Sequence, residues 1–371
     1  MTGPRFPDLI ASLPATVPFV GPEELERAQG FAFRARLGAN ESVFGPSPRA
    51  VEAMRAADAE IWKYADPSHL ALKTELAGRL GCGPANIVFG EGIDGLLGYL
   101  VRLLVSPGDA VVTSEGAYPT FNFHVSGFGG VLHKVPYRDD AEDIAALFAR
   151  AAEVDAKIVY LANPDNPMGS CHPGKAIEAA LPRLPEGCVL ALDEAYIEFA
   201  PEGTAPIIAI DHPRVVRFRT FSKAYGMAGA RVGYAFGDAP LIGAFDKIRN
   251  HFAMNRAAQA GALAALCDDA WLDEVRGKVS AARERIARIA ADNGLNALPS
   301  ATNFVAVDCG KDGAHARAVL QALARRGVFV RMPFVAPQDR CIRISAGTEA
   351  DLDILAEALP EALAELRETT D

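Results

Sequence analysis

The stretch Ile87–Leu100, IVFGEGIDGLLGYL, carries the choice between two folds. A short apolar strand leads into Gly90, Gly92 and Gly95 in the spacing GxGxxG, and an apolar run of helical character follows. Strand, glycine turn and helix N-terminus in that order make an anion site, because the first N–H groups of a helix lack partners within it and its dipole favours negative charge there. The same spacing is the fingerprint of a dinucleotide-binding fold, which also asks for an acidic residue about 20 positions further on. Glu115, closing the strand DAVVTSE, stands there. Alone, this window supports a nicotinamide-dependent dehydrogenase, so the flanking sequence has to arbitrate.

Outward from it, Ala85 to about Phe236 alternates β-rich runs (AVVTS, VLHKV, KIVYLA, CVLALD, VVRFR, RVGYAF) with helical or loop segments. That alternation predicts an α/β domain around a mainly parallel sheet buried on both faces. An alanine-rich helical stretch follows from about 254 to 293, and then the rhythm changes: TNFVAVD, a helix near 314–325, GVFVRM, CIRISA and a last helix after Thr348. This predicts a smaller α+β C-terminal domain. The reading divides the chain into an N-terminal arm at 1–40 contributing to the small domain, a large domain at 41–255, and a helical linker with the small domain at 256–371.

Composition narrows the function. A chain of 371 residues, half of them hydrophobic and 23% charged, exceeds one ordinary core and suits two lobes. Its net charge of -10 argues against nucleic acid as a partner, whose phosphates are met by clustered Lys and Arg. The six cysteines are scattered, with no CxxC pair and no metal-ligand spacing, as expected of reduced thiols in a cytoplasmic protein. The proline-broken start MTGPRFPDLIASLPATVPFV has no signal-peptide core, and no apolar run is long enough to imply a membrane span.

Three windows carry chemistry. In RTFSKAYGMAGARVGYAF, 219–236, Lys223 lies among small and apolar residues with Thr220, Ser222 and Arg231 nearby. A lysine is ordinarily a solvated surface group, but in a poorly solvated pocket beside a cation its pKa falls and it becomes a usable nucleophile and base. The hydroxyls and the arginine on this glycine-rich loop make a phosphate cup. In CVLALDEAYIEF, Asp193 ends an apolar strand, where it is either a cap or buried ion pair, or a carboxylate that keeps a pyridinium nitrogen protonated, as a pyridoxal phosphate ring requires. Tyr196 follows three residues later. In YLANPDNPMG, 160–169, the Asn-Pro steps punctuate a turn, yet they too follow a strand, and ligands of open α/β sheets bind at the carboxyl ends of strands. Asn166, Asp193 and Lys223 are thereby expected at one site.

Together with GANESVFGPSP, KYADP, LDEAYIEF, SATNFVAV and CIRISAGT, in that order along nearly the whole chain, these windows resemble the fold type I pyridoxal-phosphate aminotransferases, and within them the histidinol-phosphate aminotransferase group. The resemblance implies an aspartate aminotransferase-like large domain with a seven-stranded sheet. It implies that Lys223 joins the cofactor covalently, that Asp193 pairs with its ring nitrogen, and that Asn166 and Tyr196 bond its ring oxygen. Phe121 in YPTF would lie on the ring face, with Tyr118 competing for that place. Gly92, Ile93, Asp94, Thr220, Ser222 and Arg231 would hold the phosphate, joined by Tyr64 from the other subunit of a homodimer. Asn40, Arg331 and Arg343 would face the substrate. Lys223, Asp193 and Tyr196 are the expected catalytic set.

The implied activity is transfer of an amino group from a small amino donor, histidinol phosphate or an amino acid, to an oxo acid such as 2-oxoglutarate. A decarboxylase or lyase on the same fold, or an aminotransferase for aromatic or other amino acids, is the alternative. The chain departs from the group's pattern at Phe19, where a tyrosine that helps hold the substrate phosphate is usual, at Asp165 in NPDNPMG where NPNNPTG is usual, at GIDG for GSDE, and at Arg256 where a serine is usual.

Overall fold

The computed structural model describes residues 3–15 and 20–368. After a two-residue strand β1 (Ala35–Arg36), seven strands build the central sheet: β2 (Ile87–Gly90), β3 (Ala110–Ser114), β4 (Val131–Val135), β5 (Ile158–Ala162), β6 (Val189–Asp193), β7 (Val215–Thr220) and β8 (Gly233–Gly237). Their order across the sheet is β2-β8-β7-β6-β5-β3-β4. All pairings from β7 to β4 are parallel, while β8 runs antiparallel to both its neighbours.

Successive strand residues point to opposite faces, and both faces are covered. Val111, Ile158 and Val216 meet Leu96, Leu97 and Val125 from the helices Gly92–Leu104 and Pro119–Gly127. Val112, Val159 and Leu190, one residue along, meet Leu147, Phe148 and Ile177 from Ile144–Glu153 and Gly174–Ala180. Hence β5, β6 and β8 are buried at every position and read as unbroken apolar runs.

The C-terminal unit has an antiparallel sheet of β9 (Asn296–Ala297), β10 (Phe304–Asp308) and β12 (Cys341–Ser345), while β11 (Val328–Phe329) pairs in parallel with β1. Three helices, Asp269–Asp292, Gly313–Arg325 and Glu349–Glu368, cover it. Val275, Ile286, Leu323, Phe304 and Ile342 form a core that also takes in Ala35 and Leu37, so the end of the arm is built into this unit. The alanine-rich stretch is two helices. The first, Arg256–Leu266, is capped by the Asn255 side chain and packs on Ala50, Leu72 and Leu76 of the large unit. Among the described residues no helix is long and apolar enough to cross a membrane.

The topology overturns the dinucleotide reading. In that fold the glycine-bearing strand lies inside the sheet between parallel neighbours, next to the strand that ends in the acidic residue. Here β2 is an edge strand whose one neighbour, β8, is antiparallel, and Glu115 follows β3, with β8, β7, β6 and β5 in between. The sheet instead aligns Gly90, Gly233 and Thr220 in register across β2, β8 and β7, at the edge where β5 and β6 also end.

Candidate active site

At that edge Lys223 donates from Nζ to the Asn40 carbonyl at 3.1 Å and lies 5.6 Å from the centre of the Tyr196 ring. Burial brings its ammonium down to about 8, reinforced by Arg343, while Asp94 and Glu41 pull the other way. Asn40, buried and with φ 55°, anchors several groups. Its Nδ2 donates to the Tyr196 hydroxyl at 3.1 Å, its Oδ1 accepts from Ser345 at 3.0 Å, and its carbonyl also accepts from Asn303 at 3.0 Å. Asn40 therefore orients Tyr196 and Lys223, a positioning role beside the substrate role expected for it.

Asp193, at the end of β6, is 5% exposed. Its Oδ2 accepts from the Tyr160 hydroxyl at 2.7 Å and its Oδ1 from the Ala195 N–H at 2.9 Å. Neither is a cation, and burial pushes its carboxyl up to about 6 despite those bonds. A buried carboxylate with neutral partners is suited to receive a cation at its remaining lone pairs.

One expectation needs correcting here. Phe121 is fully buried, its ring stacked on Tyr160 at 4.6 Å, because the helix that starts at Pro119 turns it into the core of the large unit. It braces Tyr160 beneath Asp193 and presents no exposed face to a ligand ring. Tyr118, the competitor, is half-buried beside the site: its hydroxyl donates to Asp94 at 2.9 Å, the carboxylate that pairs with Arg231.

The residues expected to form an anion cup lie side by side. Gly92 opens the helix Gly92–Leu104 with φ 82°, and a Cβ there would stand 2.4 Å from the Arg231 guanidinium. Arg231 itself holds φ 57°, a conformation uncommon outside glycine and costly enough to signal a placed side chain. Its guanidinium donates to Ser222 Oγ at 3.4 Å and pairs with Asp94 at 3.4 Å, and Thr220 Oγ1 donates to Ser222 Oγ at 3.0 Å. Gly233 lets β8 run against the turn, since a Cβ there would meet the Gly92 carbonyl carbon at 2.6 Å. Two hydroxyls, a guanidinium and the first N–H groups at Ile93 and Asp94 converge, as an oxyanion with several lone pairs requires.

On the far side, Arg343 of β12 donates to Asn166 Oδ1 at 2.5 Å and to the Gly38 carbonyl at 3.1 Å, while its buried Nε has no partner among the described residues. Burial brings this guanidinium down to about 10. Arg331 bridges Arg343 through the backbone and donates from its side chain to the Val20 carbonyl. Tyr64 is 79% exposed and packs on Phe252 at 4.7 Å, so within its own chain it stands on the surface. Phe19 lies outside the described residues. Three residues of the site, Tyr160, Asn303 and Ser345, escape sequence reading: each sits in a strand or beside one, where polar groups read as incidental.

A family model, aminotransferase class I and II, matches residues 35–359. Histidinol-phosphate aminotransferase from Moorella thermoacetica is 32% identical over 367 residues, covering 98% of this chain and 94% of that one. The enzyme of the same name from Roseiflexus castenholzii is 36% identical over 371 residues, covering 97% and 98%. Among solved structures, histidinol-phosphate aminotransferase from Sinorhizobium meliloti in complex with pyridoxal-5'-phosphate superposes with a TM-score of 0.96 at 56% identity, covering 98% of this chain and 99% of that one. A Thermus thermophilus aspartate aminotransferase shares the fold, with a TM-score of 0.79 at 24% identity over 98% and 100% of the two chains.

Proposed function

The chain belongs to the class I and II aminotransferases, and from that premise we propose that it transfers the amino group of histidinol phosphate, or of an amino acid, to an oxo acid such as 2-oxoglutarate with pyridoxal 5'-phosphate as cofactor. The observation that carries the reading is the convergence of a buried amine of lowered basicity, Lys223, with the uncompensated carboxylate of Asp193 and a guanidinium, Arg343, whose buried Nε has no partner.

The residues fit that cofactor on physical grounds. The Arg231 cup, where a Cβ at Gly92 has no room, suits a phosphate monoester. Asp193, with only neutral donors about it, suits a protonated ring nitrogen. Asn166, whose Oδ1 is occupied by Arg343, has its Nδ2 left to offer a ring oxygen, and the Tyr196 hydroxyl, accepting from Asn40, has its own proton to donate there. Tyr118 backs the ring face.

When bound, pyridoxal phosphate supplies an electron sink for the charge that develops when a proton leaves the donor carbon. Asp193 stabilises the cation at the ring nitrogen far better in this buried site than water would. Lys223 would hold the cofactor covalently between turnovers. Burial lowers the basicity of the Lys223 amine, so once free it would be placed to take the proton from the donor Cα and to return it at C4′ of the cofactor. Arg343 holds the anionic end of the donor and then of the oxo acid, and Asn40 keeps Lys223 and Tyr196 in place. The exposed Tyr64, with Phe252 beside it, reaches the phosphate of a second copy in a homodimer.

A donor screen tests the reading. Histidinol phosphate, set against aromatic, aliphatic and acidic amino acids, should convert the cofactor to its amine form in a single half-reaction. Release of carbon dioxide or of an elimination product without that conversion would assign a decarboxylase or lyase instead.

A further inference from the structure

One departure from the group's pattern, Arg256 in place of serine, has no task in the mechanism above. Arg256 opens the helix Arg256–Leu266, is half-buried, and donates from Nη2 to the Tyr64 carbonyl at 2.7 Å. Its buried Nε has no partner among the described residues. Two side chains nearby in sequence make bonds of the same kind. Gln259 donates from Nε2 to the Asp66 carbonyl at 3.1 Å, and Arg249 from Nη2 to the Pro67 carbonyl at 2.9 Å. Phe252, between Arg249 and Arg256, lays its ring against that of Tyr64 at 4.7 Å.

We propose that Arg256 is a positioning residue that acts across the subunit boundary: its guanidinium fixes the backbone of Tyr64 so that the Tyr64 hydroxyl meets the cofactor phosphate of a second copy. Such a contact tolerates little displacement, because O–H···O bonds span about 2.5–3.0 Å and a loop shifted by about 1 Å loses them. A serine at this position, ending at its γ oxygen, does not reach where Nη2 reaches. The inference rests on Tyr64 meeting the second copy's phosphate as proposed above.

The loop depends on bonds of this kind. Residues 64–69 form neither helix nor strand, so their carbonyls have no ladder to join and take partners from side chains. The far end of the loop is braced from within, since the Asp66 carboxylate accepts from the Ser68 N–H at 2.9 Å and the Leu70 N–H at 3.0 Å. At the Tyr64 end the brace is Arg256. Beside the loop lies a cavity of about 290 Å³ lined by Asp66, His69, Leu72, Arg256 and Gln259, so on that side the backbone is held by hydrogen bonds more than by close packing.

The test compares four holoenzymes: the parent, Arg256→Met, which keeps the apolar stem and removes the donors, Tyr64→Phe, and the double variant. Each is dialysed against cofactor-free buffer, and the rate of cofactor release is read from the loss of its bound absorbance. Tyr64→Phe should speed release about 10- to 100-fold, as loss of a hydrogen bond to a charged group does. Arg256→Met should speed it about fivefold or more in the parent and less than about twofold in the Tyr64→Phe background, because a residue acting through that hydroxyl has nothing left to act on. Release unchanged by Arg256→Met, or hastened by the same factor in both backgrounds, overturns the proposal. Release unchanged by Tyr64→Phe instead refutes the placement of Tyr64 at the phosphate and takes the proposal with it, so the two failures are told apart.

Discussion

Replacing Gly92 by alanine separates a phosphate cup from a glycine turn of merely local importance. The residue has φ 82°, where an alanine costs about 1–2 kcal/mol of backbone strain. Its Cβ would overlap Nη2 of Arg231 and stand 3.0 Å from the guanidinium carbon, so the end of the Arg231 side chain has to shift. Displacing it removes its contacts with Ser222 and Asp94 and, in the holoenzyme, a charge-assisted bond to the phosphate worth about 1.5–3 kcal/mol. At about 1.4 kcal/mol per factor of ten, the dissociation constant of the cofactor should rise roughly 10- to 100-fold.

The two effects are measured apart: strain by urea unfolding of the apoenzyme, affinity by titrating apoenzyme with pyridoxal phosphate and following its absorbance. Gly95→Ala is the control. The atoms nearest its Cβ would belong to the Glu91 side chain, at 2.7 Å, outside the Arg231 cup, and no left-handed φ is needed there. Cofactor affinity should change less than about twofold, although the dinucleotide fingerprint reserves that third glycine for close packing. A Gly92→Ala enzyme that binds the cofactor as tightly as the parent, or a Gly95→Ala enzyme equally impaired, would refute the reasoning.

Asp193→Asn leaves the ring nitrogen without its counter-charge in a buried site, and kcat should fall by at least about 100-fold, measured in single-turnover half-reactions, because unpairing a buried charge costs about 3–5 kcal/mol. Lys223 is held near 8 in the folded chain against its ordinary 10.5. Between those values the unfolded chain binds the proton and the folded one does not, so apoenzyme stability should rise with pH from about 8 to about 10.5 relative to Lys223→Met. Urea midpoints across that range check it, and parallel pH profiles for the two proteins would contradict the placement of the amine. Phe121→Leu should cost about 1–2 kcal/mol of stability by opening space beside Tyr160, while cofactor affinity changes little. A large loss of affinity with unchanged stability would return Phe121 to the ring face.

Much of this molecule follows from local pattern. Strands β2, β5, β6 and β8 are short apolar runs buried at every position, and such runs declare themselves whatever lies beside them. The glycines of GEGIDG likewise announce an anion site, since a free helix N-terminus behind a glycine turn needs no distant residue to attract phosphate. Lys223 and Asp193 stand out because a charge in an apolar run has to be compensated or put to use.

What local pattern leaves open is which strand ends meet. GxGxxG with Glu115 is equally consistent with a dinucleotide until β2 is seen at the sheet edge beside an antiparallel β8, which brings Arg231 to Gly92 and leaves Glu115 remote. Phe121 and Tyr118 lie three residues apart, and only the direction of the helix beginning at Pro119 decides which is buried. Arg343 meets Asn166 across 177 residues of chain. Periodicity is a property of neighbours in sequence, whereas the site is made by strand order and the packing of two units. The chemistry was therefore legible in the residues, and its geometry only in the fold.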